Sequence, residues 1–69
     1  MTPYELAMQR YRVEYLVRAV LAAGGHMGEA ARQVGVHRNT MTRAIAAGGY
    51  TRSRIRQLLA RHRQVAVQR

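Results

Sequence analysis

The sequence contains no cysteine, lysine, aspartate, tryptophan or phenylalanine, and its acidic residues are three glutamates. Without cysteine, disulfides and thiolate metal clusters are excluded, and no redox compartment can be inferred. No Ser–His or paired-carboxylate arrangement is present, so we do not expect an enzyme. The three histidines, His26, His37 and His62, lie on different segments and lack the spacing of a metal site. We therefore expect neither a metal nor a cofactor.

The sequence also lacks a long hydrophobic run. Its longest apolar stretch, from Leu16 to Ala23, is interrupted by Arg18 and falls short of the roughly 20 residues that a membrane span needs. The N-terminus does not follow the pattern of a signal peptide. Met1 followed at once by a capping box favours a complete small protein, and the alternative, a domain excised from a larger protein, remains open. These features predict a cytoplasmic protein without a membrane partner.

Positive charge is what the sequence has in excess. Twelve arginines and three glutamates give 69 residues a net charge of +9, which favours a polyanionic partner such as nucleic acid over an acidic membrane surface. A chain of this length buries only about 60% of its unfolded surface, so tight helix packing or a second subunit is needed for stability.

Glycines divide the chain into stretches of helical composition and period, which predicts a single all-α domain over residues 1–69. A long first helix starts at a capping box formed by Thr2 and Glu5, with Pro3 in the first turn. The last helix is basic, and Gln64–Arg69 are expected to fray. The predicted helices cover 2–23, 27–34, 38–47 and 51–63.

The first helix has two apolar faces on opposite sides. One is a tyrosine face, made of Tyr4, Met8, Tyr11 and Tyr15. The other is an aliphatic face, made of Leu6, Val13, Leu16, Val17 and Val20. A small monomer does not easily bury both, so we expect the aliphatic face to pack within the domain and the tyrosine face to form a dimer interface. In the alternative, the C-terminal helix folds back and covers the tyrosines.

Residues 27–47 have the internal spacing of a helix-turn-helix. Ala30 and Ala31 are small where two helices must approach closely, and Gly35 falls where the turn needs a left-handed residue. Val34 and Val36 flank this glycine and are predicted to anchor both helix ends in the core. On the following helix the side predicted to face inward consists of Met41, Ala44 and Ile45.

The opposite side of that helix is polar and fits the major groove of DNA, which a recognition helix enters with its N-terminal residues nearest the bases. Arginine grips guanine bidentately, asparagine prefers adenine, and a threonine methyl group contacts thymine. The residues predicted to contact DNA by this argument are Arg38, Asn39, Thr40, Thr42 and Arg43.

The run A-G-G-H-x-x-E-A-A-R-Q-V-G-V-H-R-N-T-M-T-R, within residues 14–47, resembles the Fis-type helix-turn-helix. This family includes the nucleoid protein Fis and the C-terminal domains of NtrC-like activators, and its usual form reads roughly G-G-N-x-x-x-A-A-x-x-L-G-I-x-R-x-T-L. The resemblance implies a Fis-like fold and a homodimer whose interface lies before the motif. It also carries DNA contact onto Arg38, Thr40, Thr42 and Arg43, with His37 at the edge of the groove.

The sequence departs from the family pattern at two histidines and in its tail. His26 and His37 stand where better capping residues are usual, so both helix starts are expected to fray. The basic C-terminal helix extends beyond the family pattern. Two interpretations of it remain open: a helix that only packs on the domain with its arginines in solvent, or a helix that adds phosphate contacts. The candidates for phosphate contacts are Arg32, Arg52, Arg54 and Arg56.

These features predict a Fis-like homodimer that binds double-stranded DNA and acts as a transcriptional regulator or nucleoid-associated protein. Two other classes of function remain open. A protein-interaction module would use the same fold to bind RNA polymerase or another regulator. A cationic membrane-active protein would also be helical and basic, although it would not need the spacing from Ala31 to Gly35.

Overall fold

The computed structural model describes the backbone of residues 1–67 and the side chains of residues 1–63. These residues form four helices: α1 (Pro3–Ala22), α2 (Met27–Val34), α3 (Arg38–Ala47) and α4 (Arg52–Val67). The predicted all-α fold class is confirmed. Helix α4 extends beyond its expected end near Arg63, because Gln64–Val67 contain no glycine or proline that would stop it; residues 68 and 69 lie outside the described residues.

Helix α1 begins at the predicted capping box. The Thr2 side chain accepts a hydrogen bond from the Glu5 backbone N–H, and the Glu5 carboxylate accepts one from the Thr2 backbone N–H. The helix ends at two left-handed glycines, Gly24 (φ 69°) and Gly25 (φ 91°), and the Gly25 N–H donates back to the Val20 carbonyl over 2.9 Å. The chain reverses direction at these glycines, and α2 then packs against the last turns of α1.

The core lies between the C-terminal half of α1 and the two following helices. Its buried side chains are Val13, Leu16, Val17 and Val20 from α1, Ala30 and Ala31 from α2, and Met41 and Ile45 from α3. Val20, Ala30 and Met41 are completely buried. Ala30 and Ala31 are buried, and α2 packs against both α1 and α3. Small residues at these two positions fit the close approach predicted for the two helices of the helix-turn-helix.

The N-terminal half of α1 lies outside this core. Leu6, which the sequence analysis assigned to the packed aliphatic face, is 52% exposed, and the buried part of that face begins at Val13. The reason is length: α2 and α3 have 8 and 10 residues, about 12 and 15 Å, and they cover only one end of the 20-residue α1.

Helix α4 packs near the C-terminal end of α1 and does not cover the tyrosine face. Ile55 and Leu58 contact the core, and Leu59 lies against Gly25. All four residues of the tyrosine face remain exposed, Tyr4 by 71% and Tyr11 by 62%. The alternative in which the C-terminal helix covers these tyrosines is therefore wrong.

The turn between α3 and α4 makes a close contact with α1. Gly48, which ends α3, lies directly against Val13: a Cβ atom at Gly48 would be only 2.4 Å from Val13 Cγ1. The next residue, Gly49, is left-handed (φ 88°) and turns the chain toward α4. The absence of a side chain at Gly48 thus allows the turn to rest on the core.

We expect Gly48→Ala to lower the free energy of unfolding by about 1–3 kcal/mol, because the added methyl group overpacks the contact with Val13. Gly28→Ala is the matched control. An added Cβ there would meet only Arg38 Cδ, 4.0 Å away. Because alanine stabilises a helix relative to glycine, this variant should raise the free energy of unfolding by about 0.5–1 kcal/mol.

Urea unfolding of both variants measures these changes. The double variant Val13→Ala/Gly48→Ala should lose less than the sum of its single changes, because Val13→Ala makes room for the new methyl group. Additive losses would contradict the proposed steric origin.

Candidate nucleic-acid interface

The turn between α2 and α3 is built around Gly35. This residue is left-handed (φ 81°, ψ 28°), as predicted, and the N–H groups of Gly35 and Val36 both donate to the Ala31 carbonyl over 3.0 Å. Val34 is half-buried against the core, whereas Val36 is 36% exposed. The prediction that Val36 anchors the start of α3 in the core is wrong, since the tight turn leaves it at the surface.

Helix α3 presents one apolar side to the core and one polar side to solvent. Met41 and Ile45 are buried and Ala44 is half-buried, as predicted for the inward side. The residues predicted to contact DNA are all exposed: His37, Arg38, Asn39, Thr40, Thr42 and Arg43. The packing of Met41 and Ile45 thus fixes which face of α3 is available to a partner.

Two contacts orient side chains on this outer face. The Thr42 hydroxyl donates to the Arg38 carbonyl over 3.0 Å, which occupies its proton and leaves the methyl group available for a thymine. The Arg38 side chain passes Gly28 at the start of α2, where its Cδ lies 4.0 Å from a Cβ position. Arg38 therefore lies where the N-terminal ends of both helices meet.

The two histidines at the helix starts behave differently. His37 Nδ1 accepts a hydrogen bond from the Asn39 backbone N–H over 3.1 Å, so His37 does cap α3. Its ring proton is then on Nε2, where it is a donor at the edge of the outer face. His26 makes no side-chain cap to α2. The expectation of a weak start is thus supported for α2 and not for α3.

Arg32 is engaged by a neighbouring carboxylate. Its guanidinium donates to both carboxylate oxygens of Glu29, the shorter distance being 2.6 Å. The hydrogen bond and positive charge of Arg32 lower the pKa of Glu29, and Glu29 raises the pKa of Arg32 in return. A phosphate at Arg32 would have to share or displace this carboxylate, which is an exposed partner.

The predicted phosphate contacts of α4 occupy the first turns of that helix. Arg52, Arg54 and Arg56 are exposed, and the Thr51 hydroxyl accepts from the Arg54 backbone N–H over 3.1 Å. The Arg54 guanidinium lies over the Tyr50 ring, 5.0 Å from its centroid. The sequence analysis missed this cation–π contact. Tyr50 precedes the first residue of α4, so the helical i,i+4 rule gave no signal for it.

Charge is distributed unevenly along the chain. All three glutamates lie within residues 1–29, whereas residues 30–69 contain nine arginines and no acidic residue. The outer face of α3 and the start of α4 therefore belong to a part of the chain that carries only positive formal charge. In the part of the chain with described structure, no helix has both the length and the apolar character needed to cross a membrane.

Comparison with known proteins assigns the central part of the chain to a family. A family model described as "Bacterial regulatory protein, Fis family" matches residues 14–48, from the second half of α1 to the end of α3. This match covers half of the chain and includes the whole helix-turn-helix. No curated protein and no solved structure gives a significant match.

The difference between the two histidines predicts different responses to a better cap: a gain in stability at position 26 and little change at position 37. Asparagine is among the best N-cap residues, and a missing cap is worth about 1 kcal/mol. We expect His26→Asn to raise the free energy of unfolding by about 0.5–1 kcal/mol, because α2 gains a cap that it lacks. His37→Asn should change it little, and His37→Ala should lower it by about 0.5–1 kcal/mol.

Urea unfolding measures the stabilities, and amide exchange at Asn39 reports the first turn of α3. Equal gains from asparagine at both positions would show that the hydrogen bond from Asn39 to His37 contributes nothing.

Proposed function

The chain belongs to the Fis family of bacterial regulatory proteins, and we propose that it binds duplex DNA as a homodimer with α3 of each subunit in the major groove. Family membership makes it a DNA-binding regulator of the helix-turn-helix class. The proposal adds the dimer, the groove and the contacting residues. It also adds the role, which is that of a transcriptional regulator or a nucleoid-associated protein.

The outer face of α3 is the observation that carries the proposal. Arg38 and Arg43 provide guanidinium groups, Asn39 an amide and Thr42 a methyl group, all exposed on one helix. These are side chains that distinguish base pairs by their edges in the major groove. His37 and Thr40, exposed at the N-terminal end of the same helix, are suited to the groove edge and the neighbouring phosphates.

The tyrosine face of α1 supports the homodimer. Five of the seven large hydrophobic side chains exposed in the described structure lie on α1, four of them on the tyrosine face. Exposed apolar surface concentrated on one helix marks an interaction site more often than scattered single residues do. The occupant we propose is the same face of a second copy, since the Fis-type pattern places the dimer contact before the helix-turn-helix.

A symmetric dimer defines the expected DNA site. Two recognition helices related by a two-fold axis read two half-sites about one helical turn, or ~34 Å, apart. The preferred sequence should therefore be a pseudo-palindrome. Arginine contacts to phosphate should provide most of the affinity, and the binding constant should fall steeply with salt, with a logarithmic slope of roughly −5 to −7.

We expect Arg38→Ala to weaken binding to a preferred sequence by about 1–3 kcal/mol and to relax selectivity at one base pair of each half-site. The preferred sequence comes from selection on random duplex DNA, and fluorescence anisotropy measures the affinity. Arg10→Ala, which removes an exposed arginine from α1, controls for the loss of charge and should leave selectivity unchanged.

If Arg38→Ala binds DNA as the wild type does, α3 is not the reading element. The alternative function, a protein-interaction module with the same fold, would then be favoured.

We expect Tyr11→Glu/Tyr15→Glu to convert a dimer into a monomer, because glutamates at these positions would bring like charges together at the interface. Leu6→Glu is the matched control: it has the same 52% exposure as Tyr15 and lies on the opposite side of α1. Sedimentation equilibrium measures the mass of each variant, and circular dichroism checks that the helices remain. A monomeric wild type, or dissociation by Leu6→Glu alone, would refute an interface at the tyrosine face.

A further inference from the structure

Helix α4 begins after the last residue of the family match, residue 48, so its five arginines have no assigned role. They occupy two separate edges of the helix. At 3.6 residues per turn, Arg52, Arg56 and Arg63 fall within about 40° of one another, and Arg54 and Arg61 fall roughly opposite. The side that carries Ile55 and Leu58 packs on the core and lies between these edges.

The edge that carries Arg52 adjoins α3. A groove there is lined by Arg38 and Thr42 from α3 and by Arg52 from the first turn of α4, and also by Glu29 of α2. The Glu29 carboxylate is already engaged by the Arg32 guanidinium. Arg56 follows Arg52 by one turn, about 6 Å along the same edge, whereas Arg63 is about 16 Å from Arg52. Arg54 starts from the other edge of α4, and its guanidinium stacks on Tyr50, a residue that also lines the groove.

Arg52, in the first turn of α4, does not stabilise the isolated helix. The first turn of α4 contains no acidic residue, and cations near a helix N-terminus oppose the helix dipole. No acidic residue follows Glu29 in the chain, so α4 itself offers no carboxylate to Arg52 or Arg56. A polyanion bound along this edge would neutralise the unfavourable positive charge at the start of α4.

We propose that Arg52 and Arg56 form a phosphate-binding shoulder, which holds the DNA backbone beside the groove that α3 reads. This inference rests on the proposed function and extends it to an element outside the family pattern. Because phosphate contacts carry no base identity, the shoulder adds affinity for any duplex and leaves sequence preference to α3. Arg54 serves α4 through Tyr50 and is not part of the shoulder.

The test compares Arg52→Ala/Arg56→Ala with Arg10→Ala/Arg61→Ala. This control removes the same charge from α1 and from the opposite edge of α4, and it keeps the contact of Arg54 with Tyr50. Binding is measured against salt on a random-sequence duplex of about three helical turns and on a preferred sequence. Each lost phosphate contact should reduce the salt slope by about 0.9 and the binding constant at 0.1 M salt by about eightfold. The shoulder variant should show this loss on both duplexes, and Arg52→Lys/Arg56→Lys should largely restore the slope.

A second readout separates the shoulder from a structural role. The shoulder variant should melt at the wild-type temperature or about 1–3 °C higher, because it relieves the unfavourable charge at the start of α4. A lowered melting temperature together with weaker binding would overturn the proposal, as would equal slope changes in the shoulder variant and its control or no change at the shoulder.

Arg38→Ala distinguishes this inference from the proposed function. If selectivity does not depend on Arg38 but the shoulder variant weakens binding, α3 is not the reading helix while the shoulder stands. If selectivity depends on Arg38 and the shoulder variant is silent, only the shoulder is wrong. A wild type that binds no duplex would overturn both.

Discussion

The packing of the C-terminal half of α1 against the helix-turn-helix is the interaction on which the rest of the molecule depends. Val13, Leu16, Val17 and Val20 supply half of the buried core, and α2 and α3 are too short to bury an equivalent surface between themselves. Ala30 and Ala31 permit this contact through their small size, and Met41 fills its centre. In a chain of 69 residues this one interface sets both the stability and the orientation of α3.

The same packing determines the two surfaces available for interaction. Because Met41 and Ile45 point into the core, the polar residues from Arg38 to Arg43 must face outward. Because the core packs on the aliphatic face of α1, the tyrosine face on the opposite side of that helix stays in solvent. The side of each helix that is buried therefore determines both exposed surfaces, the polar side of α3 and the tyrosine face of α1.

The distribution of charge distinguishes the two edges of α4, which its packing alone does not. Its apolar residues attach it to the core near Gly25, yet its arginines fall along two edges with different surroundings. Arg54 has an aromatic partner within the protein, whereas Arg52 shares a groove with α3. A helix that only protected the core would not need cations in its first turn, where they oppose the helix dipole.

The sequence by itself determined the helices, the turn at Gly35 and the outer face of α3, because each depends on local chemistry: capping residues, left-handed glycines and a 3.6-residue period. Only the tertiary structure decided three other features: the contact of Gly48 with Val13, the exposure of Leu6 and Val36, and the position of α4 on the core. Each of these features depends on how far one helix extends along another. The spacing of residues within a single helix carries no information about that distance. The sequence showed that α1 has two apolar faces; the lengths of α2 and α3 decided how much of one face is buried.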